Sequence, residues 1–277
     1  MALSQRHTLL LLRTSLFVVY AQFMVLSSAY SHPLPGTENG EWRYLGGDAG
    51  NTRFSALNQI NESNFAELEQ AWIWRSDNFG PNLDYFSRAT PIYVNKTLYT
   101  VATPRRQVVA IDPRTGENLW TFREPETIRH QRSPRQAYGK GVAYAEVDGR
   151  GVIYITTPGF FLWALDAETG LPLENWGNAF PVGGYPKTGV IDLVPQLVKD
   201  WQPWQDYLVS GGAYDADYGI PRELGMITAS APPIVVNGVV VVLVGHQPSY
   251  GQTRIENVPG DIMGFDAATG EFLWKFH

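Results

Sequence analysis

Apolar and polar positions alternate over short runs along most of this chain, and the runs are broken by Gly, Asn and Asp. The first set is Pro91-Ile92-Tyr93-Val94, turning at Asn95-Lys96 into Thr97-Leu98-Tyr99-Thr100-Val101. Two further runs, Gln107 to Ile111 and Asn118 to Phe122, flank a turn at Asp112 to Gly116. This predicts four short strands, with turn signals about every eight to twelve residues, which is the spacing of an all-β array. The pattern returns over residues 141–176 with Asp148-Gly149 as its first turn, and over 231–277 with Asn237-Gly238 in that place. Both dipeptides suit two-residue hairpins, which need φ > 0 at their central positions.

The most regular part of the repeat is Asp-x-x-Thr-Gly followed by an apolar run that carries Trp. It stands at Asp112-Pro113-Arg114-Thr115-Gly116 before Trp120, at Asp166-Ala167-Glu168-Thr169-Gly170 before Trp176, and at Asp266-Ala267-Ala268-Thr269-Gly270 before Trp274. An Asp side chain can accept backbone N–H groups two or three residues on and close a tight turn. The Gly supplies the positive φ that the turn needs before the next strand. These aspartates therefore read as turn residues and not as general bases. One Trp per unit, each with a large apolar face and an N–H in need of a partner, suits a joint between neighbouring units.

Four-stranded units repeated around an axis make a β-propeller, here with repeats near 89–123, 141–176 and 231–277. Three to four such units do not close a ring, so the chain reads as the N-terminal part of a longer protein. Residues 177–228, rich in Gly, Pro and Trp, read as an insertion decorating one face. Residues 32–41 read as a turn-rich linker. Ile60 to Leu68 predicts a helical turn capped by Asn61 or Ser63, and Ala71-Trp72-Ile73-Trp74-Arg75 predicts a strand.

Residues 1–31 read as a signal peptide: Arg6 and His7, an apolar stretch from Leu9 to about Leu26, and a small-residue cleavage site at Ser27-Ser28-Ala29. An uncleaved membrane anchor is the competing reading, because the apolar run approaches spanning length. Either way the expectation is export, to the periplasm.

Composition narrows the picture further. Twenty-seven Gly and nineteen Pro, with nine Trp, fourteen Tyr and thirteen Phe, favour turns and strands over helical bundles. A formal charge of −6 without a basic cluster argues against nucleic acid as a partner. The absence of cysteine excludes a disulfide framework and a Cys-x-x-Cys-His haem site within these residues.

With these motifs in hand, the chain resembles the pyrroloquinoline quinone (PQQ) dependent dehydrogenases, exported eight-bladed propellers that oxidise alcohols or sugars. The resemblance is carried by the Asp-x-x-Thr-Gly…Trp units. It is also carried by Trp42…Gly46-Gly47-Asp48…Asn51-Thr52-Arg53-Phe54-Ser55 and by Gly260-Asp261-Ile262-Met263-Gly264-Phe265-Asp266. It implies PQQ over the propeller axis, a Ca²⁺ on its carbonyl and carboxylate oxygens, and a cytochrome or quinone as electron acceptor. The metal would act as a Lewis acid and PQQ would carry the redox step.

The same resemblance implies a set of cofactor-binding residues. Gly139-Lys140-Gly141-Val142-Ala143-Tyr144 is similar to the family's Asn-Arg-Gly-x-Ala-Tyr segment, which places Lys140 where a cofactor-contacting Arg is found. Ser133-Pro134-Arg135 falls where the alcohol dehydrogenases carry a vicinal Cys pair, leaving Arg135 or a neighbour to stack there. In Ile155-Thr156-Thr157, Thr156 matches a threonine that hydrogen-bonds a PQQ carboxylate, with Thr157 beside it. Arg88 stands where the family often has Glu, and a guanidinium there could bind a carboxylate bidentately. The metal ligands stay unassigned: Gly245-His246-Gln247-Pro248-Ser249 offers no carboxylate, and Glu256 lies nearby. The catalytic Asp is expected beyond His277. A non-catalytic propeller scaffold for protein–protein interaction, binding by its faces or strand edges, is the alternative, and a truncated product that neither folds fully nor binds is a third.

Overall fold

The computed structural model describes residues 34–79, 87–102, 105–127, 130, 133, 139–180, 188–196, 227–228, 230–243, 245–246 and 261–277. The predicted signal peptide, Arg135 and Glu256 lie outside the described residues, as does most of the segment 177–228. Among the described residues no helix is long and apolar enough to cross a membrane.

Within 36–277 the described residues form three consecutive four-stranded antiparallel sheets. The first consists of β1 (Ile92–Val94), β2 (Thr97–Ala102), β3 (Gln107–Ile111) and β4 (Asn118–Phe122) in that order. The second consists of β5 (Ala143–Val147), β6 (Arg150–Thr156), β7 (Phe161–Asp166) and β8 (Val190–Asp192). A small two-stranded sheet pairs β9 (Ile227–Thr228) with β12 (Gly245–His246). The third large sheet consists of β10 (Ile234–Val236), β11 (Val239–Leu243), β13 (Ile262–Asp266) and β14 (Phe272–Phe276). The all-β, propeller-type reading of the sequence stands.

The two-residue hairpins behave as their residues require. Asp148 and Gly149 have φ of 50° and 76°, and Asn237 and Gly238 have 50° and 74°. Two successive positive-φ residues give the turn whose twist matches the flanking strands. The Asp-x-x-Thr-Gly turns form a second recurrent closure. Asp166 Oδ1 accepts the Thr169 N–H at 2.7 Å and its hydroxyl at 2.7 Å, and Asp266 Oδ1 does the same at 2.8 and 2.9 Å. In the first unit the carboxylate of Asp112 is instead gripped by its neighbour, with Arg114 N at 2.8 Å and the Arg114 guanidinium at 2.7 Å.

The Trp residues of the first and second units each reach across to the next sheet. Trp120 Nε1 donates to Ala167 O at 3.0 Å, and Trp176 Nε1 donates to Ala267 O at 2.9 Å. A tyrosine from the second strand of the same unit shares each carbonyl: Tyr99 with Ala167 at 3.1 Å, Tyr154 with Ala267 at 2.7 Å. Both acceptors follow the turn Asp directly, so the turn that closes one unit is also the socket for the previous one.

The core lies between sheets. Tyr99, Val101, Val108 and Phe122 pack against Ile153, Ile155, Phe161, Trp163 and Leu165. The alternate residues of the second sheet, Val152, Tyr154, Leu162 and Ala164, face Val240, Val242, Met263 and Phe265. The second sheet is thus covered on both faces, which is why β7 reads as a continuous apolar run with every residue buried. The third sheet is covered on one face, and Ile234, Val236 and Leu243 are exposed on the other.

The helical turn expected in 60–68 is present as a 3₁₀ turn, Phe65–Glu67, preceded by a turn that Asn61 closes, its carbonyl accepting Phe65 N at 2.9 Å and its Oδ1 accepting Ser63 N at 3.0 Å. Two other local expectations are corrected. Residues 71–75 are not a strand. Trp72 donates to Pro113 O at 3.0 Å, the same position after the turn Asp, so this segment supplies a docking Trp to the first sheet. The fourth strand of the second sheet is β8, drawn from within the stretch assigned to the insertion. The run carrying Trp176 touches β7 by one bridge, Leu165↔Pro172, because the indole is held by the next sheet and not by its own ladder.

Candidate functional site at the strand-entry end

The three sheets share a polarity. The Asp-x-x-Thr-Gly turns and the two-residue hairpins lie at one end of the array. At the other end β1, β5 and β10 begin, β2, β6 and β11 finish, and the described candidate residues gather.

The segments leading into the first strands are stitched together there. Thr90 N donates to Lys140 O at 2.9 Å, and Lys140 N donates to Ser230 O at 3.0 Å. The backbone of one residue, Lys140, therefore bridges the approaches to all three sheets, and its side chain is half-buried. The flanking glycines permit this. A Cβ on Gly139 would stand 2.9 Å from side-chain carbons of Arg106 and Val101, and one on Gly141 would stand 3.0 Å from the Thr90 carbonyl oxygen. Arg88 lies two residues before Thr90 and is exposed.

Thr156 ends β6 and is 4% exposed; its hydroxyl is buried with no hydrogen-bond partner among the described residues. Buried hydroxyls are ordinarily bonded, which marks Thr156 as a candidate binding group at this end of the sheets. Thr157 differs. Its hydroxyl donates to Glu124 Oε2, so it is committed to the protein.

Two buried charges at this end were not singled out from the sequence. Arg106, 2% exposed, runs beneath Gly139 and places Nη1 3.4 Å from Thr156 O. Glu124, 3% exposed, accepts the Gly159 N–H at 2.9 Å besides the Thr157 hydroxyl. Nothing in the local pattern marks either residue: Arg106 precedes a strand in a loop, Glu124 follows one, and such positions are usually solvated. On the third sheet Asp261 is 1% exposed, 3.4 Å from Lys275 Nζ and 3.1 Å from His277 Nδ1. Lys275 Nζ also donates to Gln196 O at 2.9 Å, tying the second and third sheets at this end. Among the described residues no group of three or more His, Asp or Glu side chains converges on a metal position.

His130 lies buried near the same end. Burial, with the Arg105 charge next in weight, pushes its imidazole down to about 4 from an ordinary value near 6.5. A depressed histidine binds its proton in the unfolded chain first. Stability from this site is therefore complete above about pH 6.5 and is lost as pH falls from there toward 4. The slope is at most about 1.4 kcal/mol per pH unit. Unfolding midpoints between pH 4 and 7 are expected to fall more steeply for the native protein than for His130→Gln; parallel slopes would remove His130 as the cause.

The family described as PQQ, "Glucose/ethanol/alcohol dehydrogenase, beta-propeller domain", matches residues 42–277. The chain belongs to this family. Among relatives, the PQQ propeller is 35% identical over 87% of its length to the quinate/shikimate dehydrogenase (quinone) of Acinetobacter baylyi, covering 28% of that protein. It is 29% identical over 86% of its length to the glycerol dehydrogenase large subunit of Gluconobacter thailandicus, again covering 28%. Among solved structures, the quinohemoprotein alcohol dehydrogenase of Comamonas testosteroni aligns with a TM-score of 0.56 at 25% identity, over 85% of this chain and 27% of that one. A europium-containing methanol dehydrogenase has the same fold, with a TM-score of 0.56 at 23% identity. The chain thus spans little more than a quarter of the length of these relatives.

Proposed function

We propose that this PQQ propeller chain serves an exported quinoprotein dehydrogenase that oxidises a CH–OH group of an alcohol or sugar and passes the electrons to a separate acceptor. The observation that carries the reading is Thr156: a buried hydroxyl at the strand-entry end, with no partner among the described residues, in a chain of this family. A carboxylate-bearing cofactor over the axis would give that hydroxyl the acceptor it lacks. Lys140, held by its own backbone at the junction of the three sheets, would supply a compensating cation. Arg88 would approach from the rim. Thr157 is left out of the direct contacts because its hydroxyl already donates a hydrogen bond to Glu124.

Bound there, PQQ supplies the two-electron acceptor chemistry that side chains cannot, with Ca²⁺ as the proposed metal. The residues of this chain bind and orient it. They also limit water on the inner side, since the Thr156–Gly159 segment and its supports are buried. The base that takes the substrate's proton is not assigned within this chain. Names of relatives such as glycerol dehydrogenase and quinate/shikimate dehydrogenase support a polyol or cyclic alcohol as readily as a simple one. Export to the periplasm is part of this proposal, with the N-terminal apolar segment as its support.

The test is reconstitution of the full-length protein with PQQ and Ca²⁺, read as fluorescence quenching on PQQ addition and as dye reduction with alcohols and aldoses. Thr156→Val is expected to raise the Kd for PQQ about tenfold, the worth of a hydrogen bond to a charged acceptor, with unfolding unchanged. A native protein that folds, takes up no PQQ and reduces no dye would overturn the reading in favour of a scaffold.

A further inference from the structure

We propose that residues 71–75 are an open strand edge: the outer strand of a further four-stranded sheet, whose other three strands come from polypeptide of the full-length protein outside these 277 residues. The inference concerns assembly of the array and does not depend on the PQQ reading.

It starts from the joints between sheets. A Cβ on Gly170 would stand 2.4 Å from the Trp120 ring, and Trp120 donates to Ala167 O; a Cβ on Gly270 would stand 3.1 Å from the Trp176 ring, and Trp176 donates to Ala267 O. Trp72 repeats this on the first sheet. A Cβ on Gly116 would stand 2.8 Å from its Cδ2, and its Nε1 donates to Pro113 O at 3.0 Å. In all three joints the indole meets the Gly of an Asp turn and the carbonyl directly after the turn Asp. The residues beside Trp72 also match those of outer strands. Ala71-Trp72-Ile73-Trp74 has the apolar-Trp-x-aromatic order of Leu119-Trp120-Thr121-Phe122 in β4 and of Leu273-Trp274-Lys275-Phe276 in β14. Trp72 thus holds the place of an outer-strand Trp from a preceding sheet.

The segment has the side-chain phase of a strand without a ladder. Trp72 and Trp74 are half-buried, while Ala71, Ile73 and Arg75 are exposed. Trp74 packs on Ala102, Val109 and Ile111, and its Nε1 donates to Asn118 Oδ1 at 2.7 Å. Among the described residues no backbone–backbone hydrogen bond involves 71–75. A row of unpaired N–H and C=O groups, held in place by its side chains, is a template for strand addition. The approach to it leaves Leu57, Ile60, Phe65 and Leu68 exposed as well.

A second copy of the chain does not fit this edge. Each of the three described sheets already has its fourth strand, β4, β8 or β14. What fits is a three-stranded antiparallel sheet of the same repeat, with a free third strand. Carried on the same polypeptide, it meets the edge at high effective concentration.

The test is hydrogen exchange resolved to single amides, with molecular mass by light scattering, on the purified full-length protein without cofactor or substrate. Alternate amides within 71–75 are expected to exchange at least about 100-fold more slowly than in an unstructured chain. This protection is expected in the monomer and at every protein concentration. If all amides of 71–75 exchange at unstructured rates while β2 and β3 are protected, the proposal fails. Protection that appears only as the mass doubles would overturn it in favour of a second copy. Protection lost on removing a co-purifying polypeptide would overturn it by assigning the three strands to a separate protein.

Discussion

Trp176→Ala is expected to lower the unfolding free energy by about 3–5 kcal/mol. The indole is 1% exposed and lies between the second and third sheets. It packs against Tyr154, with ring centroids 5.9 Å apart, and a Cβ on Gly270 would stand 3.1 Å from it. Truncation leaves a cavity at a joint made of few residues, and those residues are strand and turn backbone that cannot collapse into it. The carbonyl of Ala267 keeps the Tyr154 hydroxyl at 2.7 Å, so the loss is one of packing more than of an orphaned acceptor. Trp176→Phe separates the two contributions: it retains most of the contact, loses the N–H, and is expected to lose about 1 kcal/mol. Urea-unfolding midpoints with unchanged slopes are the measurement. A loss below about 1 kcal/mol in the Ala variant would show that the sheets are not joined through this residue.

Gly170→Ala is expected to cost about 2–5 kcal/mol, from two separable causes. The residue has φ of 71°, where a side chain costs about 1–2 kcal/mol. The added methyl would also lie 2.4 Å from Cε3 and 2.5 Å from Cδ2 of Trp120, forcing the docked indole to move at a further cost of about 1–3 kcal/mol. Gly149→Ala is the control. Its φ is 76°, but nothing lies within 4 Å of the methyl position, so only the backbone cost is expected. Equal losses in the two variants would mean that Trp120 does not sit on the turn in solution. The comparison gives the Gly of Asp-x-x-Thr-Gly a second duty: it permits the turn, and it is the flat surface on which the preceding Trp rests.

How far the residues alone carried the reading depends on the range of the contact. Hairpins at Asn95-Lys96, Asp148-Gly149 and Asn237-Gly238 were legible because a two-residue turn is decided by its own φ requirements. The three Asp turns were legible for the same reason, since their hydrogen bonds span at most five residues. Trp72 was misplaced in a strand although it docks like Trp120, because its segment lacks the Asp turn that announces the others. The outer strand of the second sheet was misplaced because β8 is recruited from a distant part of the sequence, and no local periodicity marks a three-residue strand.

The candidate site divides along the same line. Thr156 and Thr157 are adjacent and of one type, so sequence could not separate them; Glu124, from another sheet, does so by occupying one hydroxyl and leaving the other. Arg106 and Glu124 were invisible because a charge in a loop is solvated by default, and only the neighbouring sheet makes it buried.

By itself the sequence determined the repeat: the turns, the strand alternation, the all-β class and the family likeness, all set by interactions between residues close in the chain. The tertiary structure decided what the repeat does. It alone placed Trp72, Trp120 and Trp176 on carbonyls 41, 47 and 91 residues away, drew Thr90, Lys140 and Ser230 to one end, and buried Arg106 and Glu124 against Thr156-Thr157. These contacts depend on how sheets stack, and stacking is set by the summed burial of many side chains, which no short stretch of sequence contains.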